Sequence, residues 1–412
     1  MRAGRASHVA DSASFRLVLR AMSLSLGAAI ALGIGRFSYA LLLPSMKDDL
    51  HLTFAQAGAL NTSMGVGYLL GALAFPLLAR HVSANRLFLG GCVSMSACMV
   101  APGIFPAFDA LLLQRAACGV FSAVVFVSGG ILASRLAMSR PDGSGLVLGL
   151  FYGGAGLGAA FSALVVPATL GSAGHEWQAS WVALGAACGL CTALAWPVAS
   201  RIPADQGLPA VASDGATPSM SRYALLLSAY GLFGIGYIGY MTFVIALLRG
   251  AGMSGTGVTA FFVVLGLASA GSGKLWAGAL NRARGGGAFA LLCCLLSAAT
   301  LIPALTTSSV AAYASGILFG GTFLSVVAST TAFVRHNLPA PRWSAGISAF
   351  TIVFAAGQIV GPILLGAISD GAGLTRGFVY SAGILLTASL LASRQKPLVF
   401  KSSVLMADAA VG

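Results

Sequence analysis

Two arginines stand inside apolar sequence: Arg36 in Gly33-Ile-Gly-Arg-Phe-Ser-Tyr39 and Arg115 in Leu111-Leu-Leu-Gln-Arg-Ala-Ala-Cys118. The other basic residues can be assigned to edges of apolar runs. An arginine at the centre of a membrane helix costs ~2.5–3.5 kcal/mol on insertion scales, so its presence calls for a partner, water or a ligand. A guanidinium is a planar fork of donors that matches carboxylate, phosphate or sulfate oxygens. The chemistry implied is binding of a small anion, a carboxylate first. Tyr39 lies three residues from Arg36 and shares a helical face with it, as Tyr237 does with Tyr240. Tyrosines in a cavity orient polar groups with their hydroxyls and pack apolar ones with their rings. The alternative, that they pack between helices and bond backbone carbonyls, is equally open. Asn61, Gln114, Tyr152 and Gln358 are weaker candidates, each individually a better structural residue.

Acidic residues near apolar runs (Asp48, Asp49, Asp109, Glu176 and Asp370) all fall at their ends, so a buried proton relay is missing. Asp109 is the best proton-coupling candidate; an anion carrying its own proton and facilitated diffusion are the alternatives. Metal, cofactor and catalytic signals are all false ones. Cys188-Gly-Leu-Cys191 has no histidine or second pair nearby, and the seven cysteines behave as small packing residues. Gly234-Ile-Gly-Tyr-Ile-Gly239 spells a dinucleotide fingerprint but follows no strand. No metal, no cofactor and no enzyme activity are expected.

These residues need a membrane scaffold to hold them. Only 8% of the 412 residues are charged, against 58% hydrophobic, and 54 are glycine, which lets membrane helices approach closely. The net charge of +13 is scattered singly between apolar runs, which argues for membrane-flanking anchors and against nucleic acid. Runs long enough to span a bilayer occur near 17–43, 54–79, 86–107, 109–136, 145–170 and 178–199. A second set follows near 222–249, 256–279, 286–306, 308–335, 343–369 and 374–393. Arg36 lies eight residues before Pro44, ~12 Å from the expected helix end, and Arg115 six residues inside Asp109, ~9 Å by the same rise. With a hydrocarbon half-thickness of ~15 Å, the two sit at similar depth. Lysine and arginine crowd the side that would carry both termini, so both termini are expected in the cytoplasm.

The two sets are copies. Gly33-Ile-Gly-Arg-Phe-Ser-Tyr39 returns as Gly234-Ile-Gly-Tyr-Ile-Gly-Tyr240, an offset of 201 residues. The same offset relates Gly65 to Gly266, Gly119 to Gly320, Gly145 to Gly346 and Gly156 to Gly357. Both sets start on the same side, so this is a parallel repeat. The expected fold is all-α: twelve transmembrane helices in two six-helix bundles, residues 1–200 and 222–412, joined by a cytoplasmic linker at 201–221. Arg36 faces Tyr237 under the offset, and Arg115 faces Gly316, so charge distinguishes the halves.

The whole pattern resembles the major facilitator superfamily. More narrowly, Gly33-Ile-Gly-Arg-Phe-Ser-Tyr-Ala-Leu-Leu-Leu-Pro44 with Gln56-Ala-Gly58 and Gly67-Tyr-Leu-Leu-Gly71 is similar to the YbfB/YjiJ-type family of bacterial transporters. Arg115-Ala-Ala-Cys-Gly119 fits the superfamily's fourth-helix pattern, with Cys118 where glutamine is usual. Gly149-Leu-Phe-Tyr-Gly153 resembles the antiporter motif of helix 5, with Gly154 in place of its proline. Gly357-Gln-Ile-Val-Gly361-Pro362 is a better Gly-Pro match. The loop after the second span lacks the usual aspartate; Ala79 stands there.

The resemblance implies a cavity lined by helices 1, 4, 7 and 10 and bundles that rock to expose it to each side. It also offers a second role for Arg115, bracing carbonyls of helix 1. The expected site is Arg36, Tyr39, Arg115, Tyr237 and Tyr240, with Gly119, Gly153, Gly357, Gly361 and Pro362 in gating or helix packing. The expected function is secondary transport of a small organic anion across a bacterial inner membrane by a monomer in the lipid bilayer, with a proton as possible coupling ion. Efflux of neutral or drug-like solutes and a non-transporting sensor are the alternatives.

Overall fold

A computed structural model describes residues 2–138, 144–170, 177–202, 220–339 and 342–398. Twelve helices in these ranges are long and apolar enough to cross a membrane. Helix α1 runs as three continuous segments, Arg2–Ala28, Ala29–Phe37 and Ser38–Asp49. It is followed by α2 (Phe54–His81), α3 (Ala84–Ile104), α4 (Phe108–Met138), α5 (Ser144–Thr169) and α6 (Trp177–Ala199). The second set is α7 (Ala224–Gly250), α8 (Gly255–Arg282), α9 (Gly287–Leu305), α10 (Ser309–Asn337), α11 (Trp343–Ala372) and α12 (Leu374–Ser393). Local chemistry sets several starts. Thr53 and Gln56 form a reciprocal capping box at α2, and Ser254 caps α8 through the Gly257 amide. Most of the expected linker lies outside the described residues.

Helix α1 departs from expectation in two ways. It does not stop at Pro44 but continues to Asp49, so Arg36 lies deeper from the helix end than the ~12 Å measured to Pro44. Proline removes one amide donor, which a helix tolerates when its neighbours hold it. Its middle segment, Ala29–Phe37, is wound as a π-helix that contains Arg36.

The duplication is visible in the packing. A methyl group added at Gly119 of α4 would collide with the Met64 carbonyl of α2, and one at Gly320 of α10 with the Leu265 carbonyl of α8. Both members of each pair differ by the 201-residue offset. The α1–α5 contact at Gly33 and Gly158 has its counterpart between α7 and α11 at Gly234 and Gly357, with Gly33 and Gly234 equivalent under the offset and the partner glycines two residues out of it. Backbone-to-backbone contact of this kind is what small residues permit in lipid, where apolar burial alone gives helices little reason to associate.

The bundles meet chiefly through α2 against α11, α5 against α8, and the Ser38–Asp49 segment of α1 against α7. At one end of the molecule this junction is shut. Asp370 at the end of α11 accepts hydrogen bonds from the Phe54 and Ala55 amides of α2 at 2.6 and 2.9 Å. Phe54 meets Phe243 edge to face at 5.9 Å, Asn61 donates to Thr242 at 2.7 Å, and Thr62 to the Ile359 carbonyl at 2.6 Å. Towards the other end the helices part. An added methyl at Gly156 of α5 would strike the Gly266 carbonyl, one at Gly153 would sit 3.6 Å from the Ala270 carbonyl, and one at Gly149 would meet nothing within 4 Å.

Candidate functional site

Arg36 is built into the junction where closure ends. It is buried on the π-helical segment, and its guanidinium donates at 2.8 Å to Oε1 of Gln358 on α11. The Gln358 amide in turn donates to the Tyr237 hydroxyl of α7. Arg36, Gln358 and Tyr237 therefore form a chain from one bundle to the other. On its own side, Arg36 lies over the Tyr68 ring of α2, 5.9 Å from its centroid, within cation–π range. The Arg36 Nε is buried with no hydrogen-bond partner among the described residues. A buried cation holding one neutral carbonyl and one idle donor can take up a better acceptor.

Gln358 reaches this position because Gly357 and Gly361 draw α11 against α7: added methyls would strike the Gly231 carbonyl and come within 2.7 Å of the Ile235 carbonyl. Pro362 lies on the α2 side, its carbonyl against Gly58. Tyr237 itself belongs to a set of nearly parallel rings. It stacks on Phe233 at 4.8 Å, Phe354 at 5.6 Å and Phe323 at 6.3 Å, with interplanar angles of 10–18°. Phe323 also meets Phe37, the neighbour of Arg36, at 5.9 Å.

Arg115 sits behind α1. Its guanidinium donates at 3.0 Å to the Gly35 carbonyl and lies between Tyr39 and Trp181, 4.9 and 5.7 Å from their ring centroids. Two turns along α4, Ser122 donates to the Ala31 carbonyl at 2.7 Å. Helix α4 thus holds two carbonyls of the π-helical segment, where the wider winding loosens the ordinary i→i−4 ladder. The Tyr39 hydroxyl donates to the Ala57 carbonyl at 2.7 Å. Tyr240 shares a hydrogen with Ser315 at 2.7 Å and stacks on Phe319 at 3.9 Å.

Arg36 and Tyr237 are therefore brought to one chain. Tyr39 and Arg115 meet each other instead, and Tyr240 packs within the second bundle. Asp109 is exposed in the first turn of α4. Among the weaker candidates, Gln358 moves to the centre, and Asn61 bridges the bundles. Tyr68 and Phe354 were not singled out by sequence. Gln358 did leave a signal, a lone amide between two contact glycines and a proline; Tyr68 and Phe354 left none beyond being aromatic in apolar helices.

Two six-helix bundles joined at α2–α11 and α5–α8, with an arginine-bearing first helix at the junction, define a membrane transporter of the major facilitator fold. Residues 28–393 match the family model described as "Uncharacterised MFS-type transporter YbfB", and the chain belongs to that family. No curated protein sequence matches it. Among solved structures it is similar to a bacterial homologue of the human lysosomal transporter Spinster in an inward-facing, unoccupied conformation. The TM-score is 0.69 at 16% identity, covering 91% of this chain and 95% of that one. The nucleoside transporter NupG aligns with TM-score 0.73 at 14% identity, over 92% of this chain and 98% of that one. The likeness at these identities is one of fold.

Proposed function

We propose that this multi-pass membrane protein is a secondary transporter of a small organic anion, a carboxylate, moved by alternating access. The observation that carries the reading is Arg36: a buried guanidinium at the bundle junction that, among the described residues, donates to a neutral amide and leaves its Nε without a partner. A carboxylate would offer two charged oxygens to the same fork. Arg115 supports this as a positioning residue, since its bond to Gly35 holds the backbone beside Arg36. The exposed arginines Arg80, Arg86, Arg201, Arg222, Arg282 and Arg335 lie at the end where the bundles part. With the positive side facing the cytoplasm of a bacterial inner membrane, the shut end faces outward and the opening inward. Among the described residues no aspartate or glutamate is buried. A coupling proton would then travel on the substrate or through Asp109 at the end of α4.

Purified protein, screened for thermal stabilisation against carboxylates, sugars, amino acids and organic cations, should respond to carboxylates alone. Arg36→Ala should lose at least tenfold in carboxylate affinity; unchanged affinity would sink the assignment. Counterflow of the stabilising anion in reconstituted vesicles separates a transporter from a sensor.

A further inference from the structure

The ring-bearing side chains around Arg36 come from both bundles, and they narrow the class of anion. Tyr68 of α2 places its ring 5.9 Å from the guanidinium carbon and is only half-buried. Phe354 of α11 lies one turn from Gln358 on the same helical face and is also half-buried. The Phe354 ring is stacked on Tyr230 at 4.8 Å and on Tyr237 at 5.6 Å, with interplanar angles of 14° and 18°. Those neighbours hold its plane fixed while part of its surface stays uncovered. An ordered, partly open aromatic surface beside a buried cation suits a flat ring better than a flexible alkyl chain, because ring–ring contact adds to simple burial.

Charge narrows the class further. Among the described residues Arg36 and Arg115 are the buried arginines. Arg115 bonds within its own bundle, to the Gly35 carbonyl, and lies against the Tyr39 and Trp181 rings; its Nε and Nη2 are buried without a partner among the described residues. Arg36 alone of the two reaches an acceptor on the other bundle, so it is the cation placed at the junction, and it neutralises one negative charge; a second carboxylate there would be desolvated without a partner of its own.

We propose that the Arg36 site takes planar aromatic monocarboxylates, with the carboxylate replacing the Gln358 carbonyl on Arg36 and the ring lodged between Tyr68 and Phe354. This rests on the carboxylate reading above and deepens it. The probes are benzoate, hexanoate, phthalate and uncharged benzamide, titrated calorimetrically into the purified full-length protein. Benzoate is expected to bind about tenfold tighter than hexanoate, which corresponds to an aromatic contact at the upper end of its usual range. Phthalate and benzamide should each bind at least tenfold more weakly than benzoate. In Phe354→Leu the benzoate preference over hexanoate should fall to within about twofold, with the thermal unfolding midpoint of the ligand-free protein reporting an intact fold; Tyr68→Leu should behave alike. If hexanoate matches benzoate in the native protein, or if both leucine variants keep the full preference, the aromatic assignment is overturned and the carboxylate reading stands. If phthalate binds as well as benzoate, the single-charge assignment is overturned. If no carboxylate binds, or Arg36→Ala binds benzoate unchanged, both readings fall.

Discussion

Arg36 and Arg115 are the same residue type at similar expected depth, and the fold gives them different partners. Gln358 supplies the sharpest test of the difference. Gln358→Glu would set a permanent carboxylate on Arg36, so anion affinity should drop at least tenfold while the protein stays folded. Gln358→Ala, which removes the internal competitor, should raise affinity roughly threefold to tenfold; calorimetric titration reads both, and weaker binding in the alanine variant would make Gln358 a substrate ligand instead. Arg115→Met loses a charged hydrogen bond, typically about 1.5–3 kcal/mol, together with two ring contacts. It should therefore lower the thermal unfolding midpoint while leaving anion affinity of the folded fraction within about threefold. The sequence made both arginines conspicuous through the cost of charge in lipid. It could not say which way either points, because their partners lie far along the chain: Gln358 is 322 residues from Arg36, and Gly35 is 80 from Arg115. Tyr39 shows the same limit, since three-residue spacing placed it with Arg36 but its ring lies against Arg115.

Helices and their boundaries were the most legible level. Twelve apolar runs separated by polar breaks become twelve spans, because bilayer thickness fixes the length a helix must have. The π-helical winding of Ala29–Phe37 was hidden, since no residue type encodes it: the equivalent stretch of α7 carries nearly the same glycines and stays α-helical. The cap on α2 from Asp370 was hidden too, being a contact between elements on different bundles. Asp370→Ala removes two carboxylate–amide bonds at the shut end, where a helix cap is typically worth ~1 kcal/mol. Spin labels at exposed Asp48 and Ala251 should show a larger share of long distances in that variant. Distances unchanged from the parent protein would mean that the cap does not hold the junction shut.

The whole molecule reads as two copies of one bundle joined at a junction that is shut at one end and parted at the other. Gly156 lies at the boundary between the two regimes, with α5 and α8 in backbone contact. Gly156→Leu should wedge these helices apart and cut counterflow at least tenfold, while leaving anion binding at Arg36 within about threefold; equal losses in both would indicate general misfolding. The copies align without a gap through Gly33–Tyr39 and Gly234–Tyr240, yet α1 and α7 are wound differently there. From Gly33 to Tyr39 the copies match residue for residue, so the difference over that stretch is one of twist. Rewinding Ala29–Phe37 to the pitch of its twin would rotate everything after Phe37 about the helix axis relative to everything before Ala29. The Ser38–Asp49 segment, which rests on the second bundle, would turn like the driven end of a screw, and Arg36 lies in the shank that twists.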